Sequence, residues 1–327
     1  MGVYQRNFKF KKNLGDEMKK FISYCTIYVL VVHHPVSAAE SNWALTPIIN
    51  YSSDSDGLTI TKLNLGLLPG FDTVNKFQGL EWQTQKYQQN NTTINGQGLN
   101  YTWQSTDVLT GMGHSLRAGL NQIDSSKTTL ILDWNYNKAQ NDFLNWGVTF
   151  NRDWVDSIPA LQDRTHYDLV GGNLDLLLHP RVTLVGALSQ TYFSDNRHRS
   201  QQRIRTIWDA WPDQGITLQW SYKHQQGETV ANPSYFNPSE LNESIGIVGW
   251  RKRLQSWQYY VRLGGGTQSV DSQPSSPTRM AEVQVSSAPK NKGYYKVRLG
   301  YSETYGINGP GYSYRYADLQ YIWPLGR

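Results

Sequence analysis

The sequence predicts an all-β fold: an antiparallel transmembrane β-barrel of about sixteen strands (roughly 14–18 by spacing). Three observations predict it. Short stretches alternate residue by residue between an apolar or aromatic face and a polar one. The pattern recurs from about residue 45 to the C-terminus, after an export signal. The composition is polar on average, with mean hydropathy −0.58. Yet only 17% of residues are charged and 13% are aromatic, including 12 Trp and 21 Tyr. Few charges and many aromatic rings suit a wall that faces lipid outside and water inside, ringed by interfacial aromatics.

The N-terminus sets the compartment. Met18-Lys19-Lys20 opens a basic n-region, and 21–32 is an apolar run of 12 residues. Ser37, Ala38 and Ala39 then supply small residues for cleavage near Ala38 or Ala39. The apolar run is too short to span a bilayer as a helix. Residues 1–39 are expected to be a presequence with translation starting at Met18, and 40–327 the barrel. Residues 1–38 carry six basic and two acidic side chains, which leaves 25 basic and 24 acidic, a net of +1, against +5 for the whole chain. The basic balance therefore belongs mostly to the presequence and gives no reason to expect a nucleic-acid partner. The single cysteine, Cys25, lies in the same segment, so the expected mature chain has neither disulfides nor thiolate metal sites.

Strand centres follow in order near residues 47, 63, 82, 98, 117, 132, 148, 172, 187, 205, 220, 248, 263, 283, 299 and 318. Thr129 and Asp133 interleave with Leu130, Leu132, Trp134 and Tyr136 in one. Lys296, Arg298 and Gly300 interleave with Tyr295, Val297, Leu299 and Tyr301 in another. In the second half the connections alternate in length. Those at 179–180, 212–215, 254–256 and 291–293 are tight; those at 153–164, 195–199, 227–243 and 270–277 are longer and rich in Pro, Ser and Asn. Barrels of this kind keep short turns on the periplasmic side and long loops outside, which orients the chain.

Period two assigns faces. Expected toward lipid are Leu174, Leu176 and Leu178; Ile216, Leu218, Trp220 and Tyr222; Trp257, Tyr259, Val261 and Leu263; and Ala317, Leu319, Tyr321 and Trp323. Expected inside are Asn173 and Asp175; Thr217, Gln219, Ser221 and Lys223; Gln258, Tyr260 and Arg262; and Asp318 and Gln320.

Sixteen strands enclose more space than side chains fill, so a water-filled lumen is expected. Its candidate lining is of mixed sign: Arg203, Arg205, Asp209, Arg251, Arg253, Arg262, Glu282 and Arg298, with Asp133, Asp175 and Asp318 as further acids. Either these ions pair and stiffen the wall, or they set a field that filters solutes. Ile245 and Ile247 share the parity of Arg251, and a bulge between them would restore the alternation. His114, His166, His179, His198 and His224 are scattered, and no nucleophile-elbow or zinc-protease motif occurs, so no catalytic residue, metal or cofactor is assigned. Amides, hydroxyls and guanidiniums suit the hydroxyls of a sugar chain, and aromatic faces suit its C–H faces.

The run Asn232-Pro233-Ser234-Tyr235-Phe236-Asn237-Pro238, followed by a strand ending in basic residues and by Ser256-Trp257-Gln258, resembles the porin part of exopolysaccharide-export proteins. These are the outer-membrane barrels of the poly-N-acetylglucosamine and cellulose secretion type. The resemblance covers about residues 165–327 and rests on the Tyr-Phe-Asn-Pro element. It implies a sixteen-stranded bacterial outer-membrane barrel that exports polysaccharide in a biofilm context. Among the aromatics, Tyr235, Phe236 and Tyr260 are the candidate saccharide contacts. The helical-repeat region of those families is not seen here, so a separate periplasmic protein is expected to deliver the polymer. The alternative readings are a general diffusion or oligosaccharide-uptake porin, a surface receptor or scaffold barrel, and an outer-membrane hydrolase. Between the two paired aromatics of the loop, one ring either anchors the loop to the barrel mouth or faces the exit path.

Overall fold

A strand with one apolar face and exposed backbone edges needs a neighbour on each side, and in lipid the edges must close on each other. The computed structural model shows that closure. It describes residues 43–107, 110–124, 127–230, 233–288 and 293–325. The expected presequence lies outside the described residues.

Sixteen antiparallel strands run in sequence order around a closed barrel. They are β1 (Trp43–Asp54), β2 (Thr59–Thr73), β3 (Lys76–Gln89), β4 (Thr92–Thr106), β5 (Gly113–Ile123), β6 (Lys127–Asn141), β7 (Leu144–Trp154) and β8 (His166–His179). They continue as β9 (Val182–Phe193), β10 (His198–Trp211), β11 (Ile216–Gly227), β12 (Glu240–Leu254), β13 (Trp257–Val270), β14 (Ser276–Ser287), β15 (Tyr294–Gly306) and β16 (Gly309–Leu325). Each of the sixteen expected centres falls within its strand. One short helix, α1 (Ile158–Gln162), interrupts the β7–β8 connection, where the sequence suggested only a loop. Ser157 caps it, its hydroxyl accepting from the Ala160 amide, and Pro159 sits in its first turn.

The seam joins β1 to β16, from Trp43 opposite Leu325 to Asp54 opposite Tyr314. Pairing lapses at Thr46 and Pro47, where proline has no amide proton to give. Pro69 likewise coincides with a register shift between Leu67 and Gly70. These are local; neither opens the sheet.

The outer surface is the apolar one. Leu65, Leu188 and Leu263 are 55%, 63% and 57% exposed, a distribution that makes sense only against lipid. The register confirms the expected faces: Leu174 stands opposite Trp146, Leu263 opposite Val248, and Leu319 opposite Val297. Aromatic rings collect near the tight-turn end. Trp103, His114 and Tyr136 stack with centroids 5.6 and 4.4 Å apart, and Tyr295 stacks on Tyr321 at 4.3 Å. Rings at that level sit where headgroups meet hydrocarbon.

The expected alternation of connection lengths holds only in part of the second half. Connections 155–165 and 228–239 are long at one end, and 180–181 and 255–256 are tight at the other. But 194–197 and 212–215 are equal, 288–293 on the tight side is longer than 271–275, and β15 and β16 are joined by 307–308 alone. The first half departs from the rule: β4 and β5, at the tight end, are joined by the six residues 107–112, longer than the β3–β4 hairpin at the other end. Asn291 and Lys292, part of the expected tight turn before β15, lie outside the described residues.

Inside, apolar groups occupy the two ends. Ala44, Leu68, Phe71 and Ile322 pack together near the tight-turn end. Near the other end, Leu58, Ile60, Tyr87, Ile94, Ile123 and Ile131 pack against Ile158 and Leu161 of α1. The β7–β8 connection is thus folded inward onto the β2–β6 wall.

Candidate functional site: the barrel interior and its outer mouth

Alternation places polar and charged groups inside along β10–β16. Arg203, Arg205 and Asp209 share the inner face of β10, because Ile204 and Trp208 are exposed on the outer one. Arg203 stands opposite Lys223 of β11, and Arg205 opposite Ser221. On β12, Arg251 and Arg253 face inward, and Arg251 stands opposite Tyr260 of β13. Gly215 holds this corner together: its φ is +74°, its carbonyl accepts from the Arg251 amide at 2.8 Å, and a Cβ there would meet the Arg251 carbonyl.

The interior ions divide into two groups. Three cations are paired. Arg262 donates to Glu282 at 2.8 Å, and Glu282 also accepts from the Tyr316 hydroxyl at 2.5 Å. Arg298 donates to Asp318 at 2.6 Å, and Asn50 donates to the same carboxylate across the seam at 2.9 Å. Lys223 lies 3.6 Å from Glu243. Arg203, Arg205, Arg251 and Arg253 make no salt bridge among the described residues. Arg251 lies over the Tyr260 ring, 4.9 Å from its centroid, and the paired Arg262 lies over the same ring at 5.5 Å. The lining therefore divides by pairing: Arg262 and Arg298 are neutralised by Glu282 and Asp318, and the other four arginines have no acid partner among the described residues.

One expectation is corrected. No bulge restores alternation in β12, whose register with β11 and β13 is unbroken from Leu241 to Trp250. Ile245 and Ile247 point inward with Arg251 and are buried at 8% and 6% exposure. Neighbouring inward glycines explain this: Gly266 stands opposite Ile245 and Gly264 opposite Ile247, and the isoleucines fill the space left by missing side chains.

A second polar network on the opposite part of the wall has no counterpart in the sequence analysis. Arg117 of β5 donates to Glu81 of β3 at 2.7 Å and to Gln83 at 2.8 Å. Asn121 donates to Gln83, and Gln85 donates to Asn121 at 2.7 Å. The Tyr87 hydroxyl continues the chain to Asp156 at 2.9 Å, and Lys62 reaches the same carboxylate at 3.2 Å. Asp156 lies just before α1, so this network ties the inward-folded connection to the wall. The alternating glutamines of β3, with Glu81 leading them, were the available signal.

The outer mouth carries the Tyr-Phe-Asn-Pro element. Tyr235 is 4% exposed, its ring 4.5 Å from Phe193 and covered by the Arg197 guanidinium at 4.2 Å. Its hydroxyl donates to Asp195 at 3.1 Å. Of the two expected roles for this ring the enclosed one is observed: Tyr235 anchors its loop and has no face free for a sugar. Phe236 is half-buried, and its carbonyl accepts from Arg199 at 2.5 Å. Asn237 is buried and binds Arg199, His198 and Glu228. The same loop is fastened to the β7–β8 connection: Ser157 donates to the Ser234 carbonyl at 2.5 Å, and Ser234 donates to Asp163 at 2.7 Å.

Ionisation supports this clasp. Burial opposes the charge on Asp195, but hydrogen bonds from Arg197 and Tyr235 outweigh it and hold the carboxyl below its usual range. The hydrogen bond to Asp195 raises Arg197. Burial and the Asp195 charge push the Tyr235 hydroxyl well up, so it remains a donor.

The histidines stand apart. His114 is in the outer aromatic stack, His166 contacts Arg152, His198 contacts Glu228 and His224 contacts Asn242.

No family model and no curated protein matches the sequence. Solved structures do match in fold. A bacterial polysaccharide outer membrane secretin aligns with TM-score 0.64 at 12% identity, over 88% of this chain and 100% of that one. OpdQ of Pseudomonas aeruginosa aligns with TM-score 0.44 at 9% identity, over 86% and 98%; OprD of the same organism aligns with 0.43 at 10%, over 88% and 95%. With its exposed apolar wall and aromatic girdle, the closed sixteen-stranded fold, like that of the secretin, is that of a bacterial outer-membrane barrel.

Proposed function

We propose that the barrel is a passive, porin-like channel for saccharide chains, used for polysaccharide export. The observation that carries this reading is the inner wall of β10–β13. It combines amides and hydroxyls with four arginines that form no salt bridge among the described residues, beside an aromatic ring. A wall that served only as a scaffold has no use for cations facing one another, since each costs hydration and mutual repulsion. The likeness to a bacterial polysaccharide outer membrane secretin and the resemblance of residues 165–327 support the export direction. In this reading Tyr260 and Phe236 supply saccharide contacts, and a separate periplasmic protein brings the polymer to the tight-turn mouth. The chain's own contribution is a wet, hydrogen-bonding passage under an interlocked pair of outer loops.

The test is electrical. The refolded barrel in a planar bilayer should conduct in discrete steps, and neutral or charged oligosaccharides added to one side should interrupt the current reversibly. Conductance that no oligosaccharide interrupts favours the second reading, a general diffusion porin, which the mixed-sign wall also suits.

A further inference from the structure

Arg203, Arg205, Arg251 and Arg253 lie on one continuous part of the inner wall, because β10, β11, β12 and β13 are successive neighbours. Arg205 has Arg262, Tyr260, Arg203 and Asp175 as its electrostatic neighbours. Its Nε is buried and meets no acceptor among the described residues. Arg203 stands opposite Lys223, a third cation beside it. The acids that face this region are Asp175 on β8, Asp209 on β10, Glu243 on β12 and Glu282 on β14. Glu243 and Glu282 are already engaged by Lys223 and Arg262. Asp209 makes no ion pair among the described residues and sits toward the tight-turn end of β10, beyond Arg205. The region therefore holds an excess of guanidinium over available carboxylate.

We propose that the saccharide this channel carries is anionic: a chain bearing carboxylates, of the uronate type, which moves along the guanidinium track past Tyr260. The proposal rests on the channel reading above and adds the charge class of the ligand. A neutral glycan is served by amides and hydroxyls, which the wall already supplies in Gln219, Ser221 and Gln258. Unpaired guanidiniums add nothing for it. A carboxylate fits the planar fork of an arginine with two parallel hydrogen bonds, and the pyranose C–H face beside it fits the Tyr260 ring. Several arginines in succession let a chain pass from one to the next without being held by any. Arg262 and Arg298, by contrast, are neutralised by Glu282 and Asp318.

The test compares an oligouronate with a neutral oligosaccharide of the same length as blockers of single-channel current. The wild-type barrel should be blocked by the oligouronate at about one-tenth of the neutral concentration or less. The variant carrying Arg203→Gln, Arg205→Gln, Arg251→Gln and Arg253→Gln should lose that difference. Its folding is checked by faster migration unboiled than boiled on an SDS gel; if it fails to close, the pairs R203Q/R205Q and R251Q/R253Q are tested separately. Equal block by both sugars in the wild type overturns the anionic assignment and leaves the saccharide channel standing. Retained discrimination in the variants overturns the track. Block by neither sugar overturns both readings.

Discussion

At the scale of single residues, the interior shows how one wall separates structural from solute-facing charge. Arg262, Glu282 and Tyr316 form a closed set, with the carboxylate accepting from both neighbours. Replacing Glu282 by Leu strands the Arg262 guanidinium and should lower the stability of the folded barrel by about 1–3 kcal/mol, measured by urea-induced loss of tryptophan fluorescence in vesicles. Replacing Arg203 by Gln removes a cation with no acid partner, so stability should change by less than about 0.5 kcal/mol. The division between these residues was not legible in the sequence, although their inward parity was. Parity says which face a side chain occupies; pairing depends on strand order and register, which bring Glu282 of β14 beside Arg262 of β13. Ile245 and Ile247 illustrate the converse limit. Their sequence suggested a fault in alternation, but glycines on the facing strand made room for apolar groups on the inner wall.

At the scale of elements, the two long outer connections act as one clasp. Tyr235, Asp195 and Arg197 hold the β11–β12 connection to the β9–β10 hairpin, while Ser157, Asp163 and Ser234 hold it to α1. The Asp195 carboxyl is depressed below its unfolded value of about 3.9. Its contribution to docking is therefore fully present above that value and is lost as pH falls through the folded one. Single-channel recordings should be quiet at neutral pH and show loop-scale flicker only on strong acidification. Replacing Asp195 by Asn should bring the flicker to neutral pH, and so should Tyr235→Ala, without an effect specific to saccharides. A variant as quiet as the wild type at every pH would show that the clasp does not govern the mouth. The anchoring role of one aromatic was among the readings the sequence offered. The helix and the Glu81–Arg117–Asp156 network were not, because their partners come from connections and strands far apart in sequence.

At the scale of the molecule, closure makes all sixteen strands one cooperative unit, and alternation made that closure legible. Every strand centre fell where turn punctuation placed it, because a wall between lipid and water imposes period two on each strand. Orientation was legible between β7 and β13, where the two longest connections, 155–165 and 228–239, share one end and the two-residue turns 180–181 and 255–256 share the other. With long loops outside, an epitope inserted after Val230, which is exposed, should be reached by antibody on intact cells. One inserted at Phe143, in the tight β6–β7 turn, should not. The reversed pattern would invert the barrel in the membrane and leave its fold intact. Conduction through this barrel requires water and solute to pass the unpaired arginines of β10 and β12. Reversal potential in a salt gradient measures this most directly. The wild-type barrel should prefer anions, and exchanging Arg203, Arg205, Arg251 and Arg253 for Gln should move the preference toward cations. An unchanged reversal potential in the folded variant would place those arginines outside the conducting path and contradict the account.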